Sequence, residues 1–119
     1  MAGTPSAPGS DGAAPAPFSI QIEHHGSSLL VAISGEFDLG ATEQFRKVVK
    51  EIEGKDTRDV EIDLRKVSFI DSTGLRMLVE AERITREREL TLRIVRAGSA
   101  VERVLQITGL DKVLPLVDG

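Results

Sequence analysis

The sequence predicts an α/β fold: a mixed sheet of four to five strands with helices mainly on one face. Three observations predict it. Apolar residues recur at strand period in some segments and at helical period in others, in the order β-β-α-β-α-β-α-β. The length of 119 residues supports one core, which helices and strands must share. Strands buried on both faces usually read as continuous apolar runs, whereas the segments 60–64 and 90–94 alternate apolar with polar residues, so one sheet face is expected to stay partly open.

Residues 1–17, rich in Ala, Gly, Pro and Ser, read as a disordered tail because they offer too little apolar surface to offset ordering entropy. The folded domain is expected over 18–117. Phe18, Ile20 and Ile22 alternate with polar residues as a half-buried strand. His24-His25-Gly26-Ser27 reads as a turn, and Leu29 to Ser34 as the second strand of a hairpin ended by Gly35-Glu36-Phe37-Asp38. Ala41, Phe45, Val48, Val49 and Ile52 share one helical face, with Asp38 as a candidate cap and Gly54 as a stop. Val60, Ile62 and Leu64 return to strand period.

A second helix is expected from about Thr73. Its polar face carries Arg76, Glu80, Arg83 and Glu87, and its apolar side carries Met77, Leu78, Ala81 and Ile84. Such a broad stripe suits a helix lying on a sheet. Leu90, Leu92 and Ile94 mark another strand. Ser99-Ala100-Val101-Glu102 fits a capping box opening a short helix that Gly109 ends, and Val113, Leu114 and Leu116 mark a short last strand. Helices between strands favour parallel pairing through right-handed crossovers.

Composition narrows the function. Nineteen acidic and fifteen basic residues leave a net charge of −4, which argues against direct nucleic-acid binding, and the absence of Tyr and Trp removes the usual stacking platforms. There is no cysteine, so disulfides, thiolate metal sites and cysteine nucleophiles are excluded. The longest apolar stretch, Leu29 to Ile33, is too short for membrane insertion, and the N-terminus has no apolar run of a signal peptide. A cytoplasmic protein is the expectation.

The segment from Val67 to Leu75 is the most informative, because it joins a strand end to a helix start. One reading is structural: Asp71, Ser72 or Thr73 caps the helix, and Gly74 permits close packing on the sheet. The other is functional. Free N–H groups at a helix start favour a negative group, and a phosphate on Ser72 would add a charge of about −1.5 to −2 beside Asp71. Other candidates carry less. Asp38 with Asp71 has the composition of a paired-carboxylate active site, yet lacks nearby basic residues. His24 and His25 read as turn residues rather than metal ligands. Gly35 and Gly40 do not make a phosphate-binding loop. Ser72 has no histidine or lysine beside it in sequence to activate it as a nucleophile.

The run Asp63-Leu64-Arg65-Lys66-Val67-Ser68-Phe69-Ile70-Asp71-Ser72-Thr73-Gly74-Leu75 resembles the signature of STAS-domain anti-sigma factor antagonists. Gly35-Glu36-Phe37-Asp38 resembles that family's second motif, usually Gly-Glu-Leu-Asp, and residues 97–101 with 107–110 resemble its third helix region. The resemblance implies a STAS-like fold and a non-catalytic regulator without cofactor or metal. It implies that Ser72 is phosphorylated by the anti-sigma factor, a GHKL-type serine kinase, and restored by a PP2C-type phosphatase. The unphosphorylated form binds the kinase and frees the sigma factor, a partner switch used in stress response. The family's acidic pair maps to Asp38 and Asp71, which makes Asp38, Asp71, Ser72, Thr73, Gly74 and Arg76 the expected partner-binding residues. Arg76 stands where many members have a small residue, often Gly. The same resemblance admits an alternative: a STAS subunit of a stressosome or of a lipid or anion transport complex.

Overall fold

A computed structural model describes residues 18–119, and the expected tail 1–17 lies outside the described residues. The strands are β1 (Ser19–His25), β2 (Ser28–Phe37), β3 (Asp59–Ile70), β4 (Thr91–Val95) and β5 (Leu116–Val117). They form one sheet in the order β1-β2-β3-β4-β5. The β1–β2 hairpin is antiparallel, running from Ser19 opposite Ser34 to His25 opposite Ser28. All later pairs are parallel. Parallel neighbours need crossovers, and α1 (Thr42–Ile52), α2 (Ser72–Glu87) and α3 (Ser99–Thr108) supply them. The three helices pack to one side of the sheet, as the alternating strands predict.

The core lies between helices and sheet. Leu29, Val31, Ile33 and Phe37 of β2 and Val60, Ile62 and Leu64 of β3 are buried on the covered face. Phe45, Val48 and Ile52 of α1 and Leu78 and Ala81 of α2 cover them. The Phe37 ring lies 5.9 Å from that of Phe18 and 5.6 Å from that of Phe45, tying the end of β2 to α1. The opposite face carries charge: Arg93 reaches Glu61 at 3.4 Å and Arg65 reaches Asp63 at 2.8 Å. Hydrogen bonds from Arg65 hold the Asp63 carboxyl below its ordinary range.

Several local expectations shift. β1 continues through His24 and His25, leaving only Gly26 and Ser27 as the turn, with Gly26 at φ 62°. The imidazoles are held by carboxylates, His24 by Glu51 at 2.6 Å and His25 by Glu23 at 3.0 Å. β2 extends through Gly35-Glu36-Phe37 because its pairing with β3 continues to Ile70. Asp38 caps a 3-10 turn, Leu39–Ala41, that precedes α1, and Glu53 rather than Gly54 closes α1. The capping box does not form. Gly98 is the N-cap of α3, Ser99 is already helical, and the Glu102 carboxylate pairs with Arg96 at 2.5 Å instead of turning back to the cap. Val113 and Leu114 lie outside the last strand because they close a 3-10 turn, Leu110–Lys112: the Val113 N–H donates to the Leu110 carbonyl at 3.0 Å, and the Leu114 N–H to the same carbonyl at 2.9 Å.

Candidate functional site

Pairing between β2 and β3 decides which residues leave the sheet together. The pair starts with Ser28 opposite Asp59 and ends with Phe37 opposite Ile70. Between Ala32 and Ser34 β2 advances two residues while β3 advances from Asp63 to Lys66, and between Gly35 and Glu36 β3 again takes an extra residue. These two bulges re-aim β3 at its C-terminal end. Continuing the initial register would set Phe37 opposite Ser68; the bulges set it opposite Ile70 instead. Asp38 and Asp71 therefore leave the sheet side by side.

Each aspartate then starts a turn. Asp38 Oδ1 accepts from the Gly40 N–H at 3.0 Å, and Asp71 Oδ1 accepts from the Gly74 N–H at 2.9 Å. Asp71 is thus the N-cap of α2, and Ser72 is its first residue rather than Thr73. The start of α2 lies directly against the end of β2. A Cβ on Gly74 would meet the Phe37 carbonyl oxygen at 2.2 Å and Ile70 Cγ1 at 2.8 Å, so only glycine fits there. The Asp71 N–H points at that same carbonyl, 3.4 Å away.

This packing sorts the predicted residues. Gly74 is buried and serves the junction itself. Thr73 is half-buried, while Ser72 and Arg76 are exposed. Among the described residues the Ser72 hydroxyl makes no hydrogen bond within the chain, because Asp71 already performs the capping. The N–H groups of Ser72 and Thr73 lie in the first turn, where a helix has no internal acceptor for them. Asp38 and Asp71 each commit one carboxylate oxygen to a backbone N–H. Among the described residues no group of three or more His, Asp or Glu is placed to hold a metal ion.

Two residues escaped the sequence reading. Leu39 is 70% exposed and Phe69 is 50% exposed, and they flank Asp38 and Asp71 in the chain. Large apolar side chains so exposed beside polar groups suit a contact surface. The available signal was Leu39 in a Gly-rich turn, where it serves no periodic face. Phe69 falls on the outward side of the period set by Val60, Ile62 and Leu64, which was the signal available for it. A shallow groove between α1 and α2 is lined by Thr42, Thr73, Arg76, Met77 and Glu80.

Fold and site together define an α/β domain that presents an exposed serine at a helix start, directly after an aspartate cap. The profile of the STAS domain family matches residues 19–118. The chain is 27% identical over 100 residues to an anti-sigma F factor antagonist of Paenibacillus polymyxa, covering 83% of this chain and 86% of the relative. It is 28% identical over 89 residues to an anti-sigma-B factor antagonist of Staphylococcus aureus, covering 75% and 82%. The crystal structure of an anti-sigma factor antagonist from Mycobacterium paratuberculosis superposes with a TM-score of 0.72 at 26% identity, covering 87% of each chain. The chain belongs to the STAS domain family, and with it to a class of non-catalytic regulatory domains. Among the described residues no helix is long and apolar enough to cross a membrane.

Proposed function

We propose that this protein is an anti-sigma factor antagonist acting in the cytoplasm: its unphosphorylated form binds an anti-sigma factor serine kinase and releases the sigma factor, and phosphorylation of Ser72 ends that binding. The kinase is of the GHKL type, and a PP2C-type phosphatase restores the active form. The observation that carries this reading is the exposed, unbonded Ser72 hydroxyl at the first position of α2. A phosphate there is compatible with the fold, because first-turn N–H groups and the helix dipole favour negative charge. It is far less compatible with an interface. The modification adds a charge of about −1.5 to −2 next to Asp71, and burying that charge against a partner without a counter-ion is costly. Leu39 and Phe69 supply the apolar contacts of the same surface, and Asp38, Asp71, Thr73 and Arg76 supply its polar ones.

Incubation with candidate anti-sigma kinases and ATP, followed by mass spectrometry, tests the phosphoacceptor. Phosphate is expected on Ser72 and not on Thr73, whose side chain points about 100° away around the helix axis. Calorimetric titration against the cognate kinase with bound nucleotide tests the switch. Ser72→Ala should bind like the native protein, and Ser72→Asp should bind at least about tenfold more weakly, equivalent to roughly 1.4 kcal/mol. Equal affinity for the native, Ser72→Asp and phosphorylated forms would replace the switch with a constitutive STAS subunit of a larger assembly.

A further inference from the structure

α2 contains three arginines, and two of them are already occupied. Arg83 binds Glu80 through Nε at 3.1 Å and Nη2 at 2.5 Å, and reaches Glu87 at 2.9 Å. Arg86 binds Glu82 at 3.1 Å. Arg76 pairs with no carboxylate among the described residues, although Glu80 stands four positions further along the helix. Arg83 holds Glu80, and its hydrogen bonds depress the Glu80 carboxyl below its ordinary range. A cation N-terminal to an anion is also the poorer i,i+4 orientation. Arg76 is therefore an exposed guanidinium left over at the rim of the groove between α1 and α2.

Looking the other way along the helix, Arg76 lies four residues after Ser72. Residues so spaced are neighbours on a helix surface, and an anion preceding a cation is the favourable order. A phosphate presents three acceptor oxygens, and a guanidinium fork matches two of them. Resting on the reading of Ser72 as phosphoacceptor, we propose that Arg76 is an internal counter-ion of the phosphorylated form. It faces the partner while Ser72 is free and folds back one turn onto the phosphate once Ser72 is modified. Phosphorylation then changes the surface twice, by adding a dianion and by withdrawing a cation that paired with an acidic group of the kinase. The arrangement also shields the phosphate from Asp71, and from Asp38 at the neighbouring strand end.

The test uses the full chain with phosphoserine installed genetically at position 72, so that it does not depend on any kinase. A ³¹P NMR titration reads the second ionisation of the phosphate, which lies near pH 6 in an unpaired phosphoserine. A paired guanidinium favours the dianion, so this ionisation should occur at lower pH in the native protein than in Arg76→Gln, by roughly half a pH unit, as an exposed ion pair supports. Arg76→Lys should restore part of the shift, since it keeps the charge and loses the fork. Asp71, Asp38, Glu80 and Arg83, the charged groups around this end of α2, are common to all variants. His24 and His25 lie in β1 and pair with the first residues of β2, at the end away from Asp38. The shift should shrink in high salt. Identical titrations of native protein and Arg76→Gln would overturn the proposal and leave the kinase assay on Ser72 untouched. A shift with no kinase found would uphold Arg76 as counter-ion and count against the antagonist reading alone.

Discussion

The junctions that follow β2 and β3 begin alike. At each, an extended aspartate accepts a backbone N–H with Oδ1, Asp38 at φ −134° and Asp71 at φ −110°. They then diverge. Asp38 reaches two residues ahead and starts a 3-10 turn of 3 residues, whereas Asp71 reaches three ahead and starts a helix of 16 residues. The glycines differ in the same way. A Cβ on Gly40 would meet only Asp38 Oδ1, at 3.3 Å, whereas one on Gly74 would strike the backbone of β2. The first junction exposes an apolar side chain, Leu39; the second presents an exposed serine at the first position of a long helix. One short polar motif thus yields two surfaces, and the space behind the glycine decides which.

Substitutions can break this contrast. The largest effect is expected at Phe45, which anchors the α1 side through its contact with Phe37. Phe45→Ala should lower stability by roughly 3 kcal/mol or more, read as a drop in the urea midpoint. An unchanged midpoint would mean that α1 does not hold the end of β2.

Next come the two glycines, compared directly. Gly74→Ala should cost about 1–3 kcal/mol, because α2 must move off Phe37 to admit a methyl group. Gly40→Ala should change stability by no more than about 0.5 kcal/mol. Equal losses in chemical denaturation would remove the distinction between the junctions. Gly74→Ala should also weaken kinase binding in titration calorimetry, since shifting α2 displaces Ser72.

The smallest effects sharpen the comparison at the caps. Asp71→Ala should destabilise by about 1 kcal/mol, the usual worth of an N-cap. Asp38→Ala should cost less, since its partner turn is a single 3-10 turn rather than a helix. Thermal melts of both variants under one buffer condition would decide the order, and a larger loss for Asp38→Ala would reverse it.

Much of this was legible locally. The order of elements, the hairpin, the crossovers and the open sheet face follow from apolar periodicity, which reports burial residue by residue. The run from Asp63 to Leu75 marked the strand-to-helix junction, and residue type offered Asp71, Ser72 or Thr73 as its cap. Ser72 stood out as a phosphate site at a helix start and through the family resemblance, and only the Asp71 bond to Gly74 shows that its hydroxyl is left free. What the sequence could not show depends on partners distant in the chain. In β3 the spacing of buried residues changes from two, at Val60, Ile62 and Leu64, to three, at Val67 and Ile70. No period explains that without β2 alongside. Only the paired strands reveal the two extra residues that bring Asp71 level with Asp38. The sequence put Arg76 on the polar face of α2 and among the expected partner-binding residues, but that it lacks a carboxylate partner follows only from Arg83 holding Glu80. Periodicity determines which face of an element is buried; register, bulges and the competition among charges for partners are settled only when the elements meet.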